Sequence, residues 1–116
     1  MTARVLVVDD DRAMVRTLCD ILRLRGWECD GAYSGEEAVT AVCGGTTYSS
    51  VLMDIKMPGM DGVEAFKTMK GCSPEVRVML MTAHTSDDTR AEAEREGAYR
   101  VLTKPVDFGD LLALLK

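Results

Sequence analysis

Four places in this 116-residue sequence put a chemically active side chain in the same local setting. Asp9 and Asp10 follow the apolar run Val5 to Val8, Asp54 follows Val51 to Met53, Thr82 follows Val76 to Met81, and Lys104 comes just after Tyr99 to Leu102. If those runs are parallel strands of one sheet, all of these groups converge on one rim. Carboxylates brought together from different strands repel each other, and a hard cation with oxygen ligands is the usual resolution. Mg²⁺ suits so small an acidic set, because it keeps several waters and needs one or two carboxylates plus phosphate oxygens; Ca²⁺ takes a richer oxygen set. A phosphoryl group placed there develops charge on its equatorial oxygens, which a metal ion, the Lys104 ammonium and the Thr82 hydroxyl can stabilise together. A carboxylate can also attack phosphorus and hold the phosphoryl as an acyl phosphate. Asp54 is the candidate nucleophile, because it leaves directly from an apolar strand and is better fixed than a loop residue.

The elements that must position these groups are legible from periodicity. Val5 to Val8 is a β-branched run suited to a strand buried on both faces. Asp11 then caps a helix with Met14, Val15, Leu18, Ile21 and Leu22 on one face, and Gly26 stops it. Trp27 to Ala32 is a weaker strand whose polar Glu28 and Asp30 suit an edge. Ser34 and Glu37 form a capping box for a second helix, with Ala38, Val39 and Val42 inward and Gly44-Gly45 at its end. Val51 to Met53 is the third strand, and Asp61 with Glu64 opens a helix carrying Val63, Phe66 and Met69 that Gly71 is expected to end. Val76 to Met81, a polar helix from Thr85 to Glu96, a strand from Tyr99 to Leu102 and a Leu-rich helix opened by Asp107 complete five strands and five helices.

Such strict alternation implies right-handed crossovers and a parallel sheet covered by helices on both faces. The expected fold is α/β, a single flavodoxin-like (βα)5 doubly wound domain with strand order 2-1-3-4-5; that order leans on the family resemblance given below as well as on the alternation. In such sheets ligands bind beyond the carboxyl ends of the strands at the switch point, which is where the acidic residues fall.

Composition narrows the function classes. A 47% apolar content is enough for one core, and the formal net charge of -5 argues against a basic surface for nucleic acid or anionic membrane. The longest unbroken apolar run is Leu111 to Leu115, far short of the roughly 20 residues a membrane span needs. The amino-terminal residues lack a signal peptide's apolar stretch and cleavage site, so the expected compartment is the cytoplasm. Cys19, Cys29, Cys43 and Cys72 show no Cys-x-x-Cys pairing and are expected as reduced thiols. No Gly-x-Gly-x-x-Gly turn follows the first strand, which disfavours a dinucleotide or flavin module.

Val7-Val8-Asp9-Asp10-Asp11, the stretch Met53-Asp54-Ile55-Lys56-Met57-Pro58-Gly59-Met60-Asp61-Gly62, Met81-Thr82-Ala83 and Leu102-Thr103-Lys104-Pro105 together resemble the response-regulator receiver domain of two-component signalling. Each motif is weak alone; four in order at the ends of the first, third, fourth and fifth strands are specific, and they span essentially the whole chain. The resemblance implies Mg²⁺-dependent transfer of a phosphoryl group to Asp54 from a histidine kinase or histidine phosphotransfer protein. It implies that Asp10, Asp54 and the Lys56 backbone carbonyl hold Mg²⁺, with Asp9 completing the acidic pocket. Lys104 would contact the phosphoryl group, while Thr82 is drawn toward it and passes the change to the face made by the fourth helix, fifth strand and fifth helix. A switch of this kind is not a turnover enzyme. Residues 1–116 are then expected to be one receiver domain excised from a longer regulator or hybrid kinase, with no direct nucleic-acid or membrane contact. Arg90, Arg95 and Arg100 beside Asp87, Asp88 and Glu92 offer charges of both signs for a possible homodimer on the output face, or for an ordinary solvated one.

One position departs from the family. The residue three before the lysine, usually Tyr or Phe, is Val101. Tyr99 is two residues away and, by strand alternation, is expected on the same face about 7 Å further along. Thr82 movement is therefore expected to be read out with little aromatic rotation. Lys56 and His84, at positions that govern water's access to the acyl phosphate in the family, are expected to tune its lifetime. Two rival readings weigh less. An aspartyl phosphohydrolase needs a second acid two residues after the nucleophile, where Lys56 stands, and a nonphosphorylatable interaction module would not need the intact acidic set and lysine.

Overall fold

The computed structural model describes residues 4–83 and 87–115. Strands and helices alternate as β1 (Arg4–Val8), α1 (Arg12–Leu24), β2 (Glu28–Ala32), α2 (Gly35–Cys43), β3 (Ser50–Asp54), α3 (Gly62–Cys72), β4 (Arg77–Thr82), α4 (Asp87–Arg95), β5 (Arg100–Thr103) and α5 (Phe108–Leu115). The five strands form one parallel sheet in the order β2-β1-β3-β4-β5, as expected.

Burial follows that order. β3 is buried along its whole length, which its unbroken apolar run foretells for a central strand. β2 lies at one edge, and its polar residues are occupied there: Arg4 donates to Asp30 at 2.9 and 3.0 Å and to Glu28 at 2.6 Å, and the Tyr48 hydroxyl donates to Asp30 at 2.7 Å. Burial and that carboxylate push the Tyr48 phenol up to about 12. Alternation along the strands divides the core into two layers. Leu6, Val8, Val51, Met53, Val78, Leu80 and Val101 face Ala38, Phe66, Met69 and Ala93 from α2, α3 and α4. Val5, Val7, Leu52, Met79 and Met81 face Val15, Cys19, Leu22, Leu111 and Leu115 from α1 and α5.

The helix starts are capped where the sequence places them. Asp11 accepts from the Met14 amide at 3.2 Å, Ser34 from Glu37 at 3.1 Å, Asp61 from Glu64 at 2.9 Å and Asp107 from Asp110 at 2.9 Å, each satisfying an amide that the helix leaves unpaired. Beyond α1, Gly26 adopts a φ of 90°, the left-handed turn expected of a terminating glycine.

Two expectations are corrected. Gly71 does not end α3, which continues to Cys72 and is closed by Ser73, whose amide donates to Met69 at 2.8 Å. The stop signal is Pro74, which disfavours helical backbone in the residue before it, and Ser73 turns to φ -144° and ψ 76°. Nor are the four cysteines all thiols. Cys43 and Cys72 are joined by a disulfide, because α2 and α3 end side by side and bring their Cα atoms to 5.5 Å, well within bonding reach. Cys19 and Cys29 are free thiols buried between α1 and β2. The expected start of the fourth helix at Thr85, and His84 before it, lie outside the described residues.

Candidate functional site

The expected residues do meet on one rim. β1 and β3 are adjacent, with Val8 opposite Met53, so Asp9 and Asp54 leave neighbouring strands at the same level. Asp9, Asp10 and Asp54 can each offer a carboxylate oxygen, and these oxygens all lie within 4.8 Å of one another. Asp9 is 1% exposed and Asp54 6%, whereas Asp10 is open to solvent. An oxygen-only set with one solvent-facing member fits a hard cation that keeps part of its water shell.

A lysine ammonium occupies the centre of the buried pair. Lys104 reaches back from the end of β5 and donates to Asp9 at 2.7 Å and to Asp54 at 3.1 Å. The remaining oxygens have backbone partners: the Asp11 amide donates to Asp9 at 2.9 Å and the Lys56 amide to Asp54 at 3.3 Å. Burial raises the Asp54 carboxyl above its ordinary 3.8; the neighbouring Asp9 charge adds to the rise, and Lys104 and the Lys56 amide oppose it. For Lys104, burial works against the ammonium, but hydrogen bonds to the two carboxylates outweigh it and raise its pKa above 10.5. One ammonium is therefore shared by two buried carboxylates, which leaves the pair short of balancing charge.

Thr82 ends β4 on the same rim and is buried. The strand exits around it are joined through the backbone, with Ile55 donating to the Met81 carbonyl at 2.9 Å and Lys104 to the Thr82 carbonyl at 2.8 Å. The Lys104-Pro105 bond is cis. Val101 packs in the layer under α3 and α4, the face that alternation from Leu80 also assigns to Thr82. Tyr99 corrects an expectation, because it packs in the opposite layer with α1 and α5. β5 begins at Arg100, so strand alternation does not extend back to residue 99. The Tyr99 ring lies beneath the guanidinium groups of Arg77 and Arg100, 5.0 and 4.8 Å from its centroid.

Two supports for the site were not anticipated from sequence. A Cβ on Gly62 would lie 2.4 Å from the Asp54 carbonyl oxygen and 2.8 Å from the Ile55 Cα, so α3 starts against the end of β3 only because residue 62 lacks a side chain. Its amide donates to the Ile55 carbonyl at 2.8 Å. The second support is Glu36, at the start of α2, which accepts from the Met60 amide at 3.3 Å across the β3–α3 loop. The Asp61-Gly62 pair hinted at the first; nothing local links Glu36 to residue 60. The loop itself walls a shallow cleft of about 440 Å³ lined by Ile55, Lys56, Met57, Pro58, Gly59 and Asp61. Lys56 is exposed there, and His84 lies outside the described residues. On α4 Glu92 sits 3.9 Å from Lys67 of α3, and Arg90 is 4.0 Å from Glu94.

Comparison with known proteins gives one consistent answer. Residues 5–116 match the model of the response regulator receiver domain. The chain is 40% identical over 115 residues to the response regulator protein FleR of Pseudomonas aeruginosa, an alignment that covers 99% of this chain and 24% of that protein. It is 38% identical over 112 residues to the transcriptional regulatory protein ZraR of Escherichia coli, covering 97% of this chain and 25% of the relative. It thus spans about a quarter of the length of these two curated relatives. Among solved structures, a CheY-like response regulator receiver domain protein from Methanospirillum hungatei superposes with a TM-score of 0.92 at 28% identity, over 97% of this chain and 90% of that one.

Proposed function

The chain belongs to the response regulator receiver domain family, and from that premise we propose that it is a phosphoacceptor switch with Asp54 as the acceptor. The observation that carries this reading is the Lys104 ammonium held between Asp9 and Asp54, at 2.7 and 3.1 Å, at the carboxyl ends of three parallel strands. An Asp54 oxygen attacks the phosphorus of a phosphohistidine on a histidine kinase or histidine phosphotransfer protein. As the new O–P bond forms, the donor's P–N bond breaks and the imidazole nitrogen keeps the electron pair. Lys104 already contacts Asp54, so its charge stands beside the position that the phosphoryl oxygens take. A Mg²⁺ ion held by Asp9, Asp10, Asp54 and the Lys56 carbonyl would supply further charge neutralisation there. Thr82 moves toward the new group and alters the α4–β5–α5 face, which carries the output.

The domain acts in this reading as a signalling element with slow self-dephosphorylation, not as a turnover enzyme, and works in the cytoplasm where its kinase partner presents the phosphohistidine. Pairing with a second copy through α4, β5 and α5 is part of the same proposal. No described helix is long and apolar enough to cross a membrane. The test is intact mass after incubation with acetyl phosphate and Mg²⁺. One phosphoryl adduct is expected on the natural chain and none on Asp54→Asn or without the metal. An adduct that persists on Asp54→Asn refutes the assignment.

A further inference from the structure

We propose that Cys43–Cys72 is a reversible thiol–disulfide site, exchanging with small thiols and their disulfides, and that its opening loosens the β3–α3 loop (residues 55–61) beside Asp54. The link to signalling rests on Asp54 being the phosphoacceptor; the site and its effect on the loop do not.

Accessibility is the first support. Cys43 and Cys72 are both exposed, each the last residue of its helix, so an incoming thiolate needs no opening of the core. Exposed disulfides are the exchangeable ones, and a cytosolic thiol pool acts on them. The other two cysteines contrast sharply, at 4% and 3% exposure between α1 and β2.

Placement is the second. The bond closes a segment with a sequence separation of 29 that contains β3, Asp54 and the whole β3–α3 loop. At their carboxyl ends α2 and α3 are held together covalently. At the amino end α2 grips the loop directly: Glu36 accepts from the Met60 amide at 3.3 Å, and a Cβ on Gly35 would lie 2.6 Å from the Met60 carbonyl oxygen. α2 is thus tied to the far end of α3 by a covalent bond and to the loop itself only by non-covalent contacts at its amino end. Breaking the disulfide leaves the Glu36–Met60 hydrogen bond, the Gly35 contact and the core packing of Ala38 and Val42 to hold α2 in register with the loop.

The exchange balances simply. A thiolate attacks one sulfur, the S–S bond breaks, and the departing cysteine sulfur takes the electron pair and then a proton. A second thiol resolves the mixed disulfide, so two external thiols become one external disulfide while Cys43 and Cys72 become thiols. A glutathione-type disulfide reverses the sequence.

The test uses the intact chain without phosphodonor, so its failure is distinct from failure of the phosphoacceptor reading. The protein is equilibrated in glutathione buffers of graded thiol-to-disulfide ratio, alkylated, and peptide-mapped. Label on Cys43 and Cys72 is expected to rise together as the buffer becomes reducing and to fall again on reoxidation. Amide hydrogen exchange in the same samples is expected to quicken at Met60 and Gly62 by about threefold or more on reduction. Amides in β1 are expected to be unchanged. A Cys43→Ser, Cys72→Ser double variant should show the fast pattern in both buffers. Cys43 and Cys72 found fully alkylated in every buffer would overturn the redox site, and Met60 and Gly62 exchange that ignores the buffer would overturn the coupling. Both results are readable on the natural chain even if the double variant folds poorly.

Discussion

Replacing Lys104 with Met in Mg²⁺-free buffer tests the charge balance on which the site depends. Met keeps most of the aliphatic stem and removes the ammonium that bridges Asp9 at 2.7 Å and Asp54 at 3.1 Å. Two carboxylates, 1% and 6% exposed, are then left facing each other without a cation. Their oxygens lie within 4.8 Å, and unit charges at that separation repel by about 3.5 kcal/mol at an effective dielectric constant of about 20. Removing one partner from a buried ion pair costs about 3–5 kcal/mol in general, a similar size. Against a total stability of about 5–15 kcal/mol the variant should be folded but much weakened.

The loss should depend on pH with a definite sign. Burial holds Asp54 above its ordinary 3.8 already, and the variant removes the lysine that opposed the rise. A carboxyl whose folded pKa exceeds its unfolded pKa binds more protons folded than unfolded between the two values, so its stability contribution is full below the unfolded pKa and is lost as pH climbs through the folded one. Lys104 itself, raised above 10.5, contributes fully below that value and loses its effect only in strong alkali. Urea unfolding followed by circular dichroism at pH 5, 6.5 and 8 should therefore show the gap between natural chain and variant widening as pH rises. Millimolar Mg²⁺ should stabilise the variant more than the natural chain, because the ion then neutralises the carboxylates in place of the ammonium. A loss below about 1 kcal/mol at pH 8, or a gap that does not change with pH, refutes the reasoning.

Gly62→Ala should destabilise by about 1–3 kcal/mol in urea unfolding and slow acetyl phosphate labelling, because its Cβ would meet the Asp54 carbonyl oxygen at 2.4 Å and backbone cannot easily retreat. The Cys43→Ser, Cys72→Ser variant should melt lower by about 12–16 °C, since a cross-link spanning 29 residues restricts the unfolded chain by about 3–4 kcal/mol; an unchanged Tm would be the contrary result. Lys56→Ala should change the decay rate of the phosphorylated protein while leaving its stability within about 0.5 kcal/mol, because the side chain is exposed beside Asp54; equal decay followed by intact mass would remove the tuning role. Tyr99→Leu should leave the phosphorylation-dependent NMR shifts around Thr82 in place, because the ring packs in the opposite layer; their disappearance would restore Tyr99 as the rotating partner.

Local pattern carries the helix caps, the central burial of β3 and the gathering of Asp9, Asp10, Asp54, Thr82 and Lys104 on one rim, because each depends on which residues follow an apolar run and which side of a parallel sheet those ends share. What escaped is set by longer-range packing or by a single-residue boundary. The Cys43–Cys72 bond depends on two helix ends meeting across 29 residues, and no spacing rule encodes that. Tyr99 was assigned to the wrong face because β5 starts one residue later than its apolar run suggests, and period-two reasoning inverts with every one-residue shift. Gly71 lost to Pro74 as the end of α3 because a glycine permits a stop whereas a following proline disfavours helical continuation.

Val101 bears directly on how a change at Asp54 can leave the site. An aromatic ring at that position would occupy the layer beneath α4, on the face assigned to Thr82, and could respond by rotating; a valine has little to rotate and is already 7% exposed in a packed core. Connections through the backbone are in place among the described residues. Ile55 is bonded to the Met81 carbonyl and Lys104 to the Thr82 carbonyl, so the exits of β3, β4 and β5 form one hydrogen-bonded chain running from the central strand to the edge strand. Lys104 belongs to that chain through its amide and to the acidic pair through its ammonium. A phosphoryl group that draws the ammonium away from Asp9 therefore pulls on the same residue whose amide anchors β5 to β4. In the proposed switch the lysine would carry, through the β5 backbone, a displacement that an aromatic side chain would otherwise report.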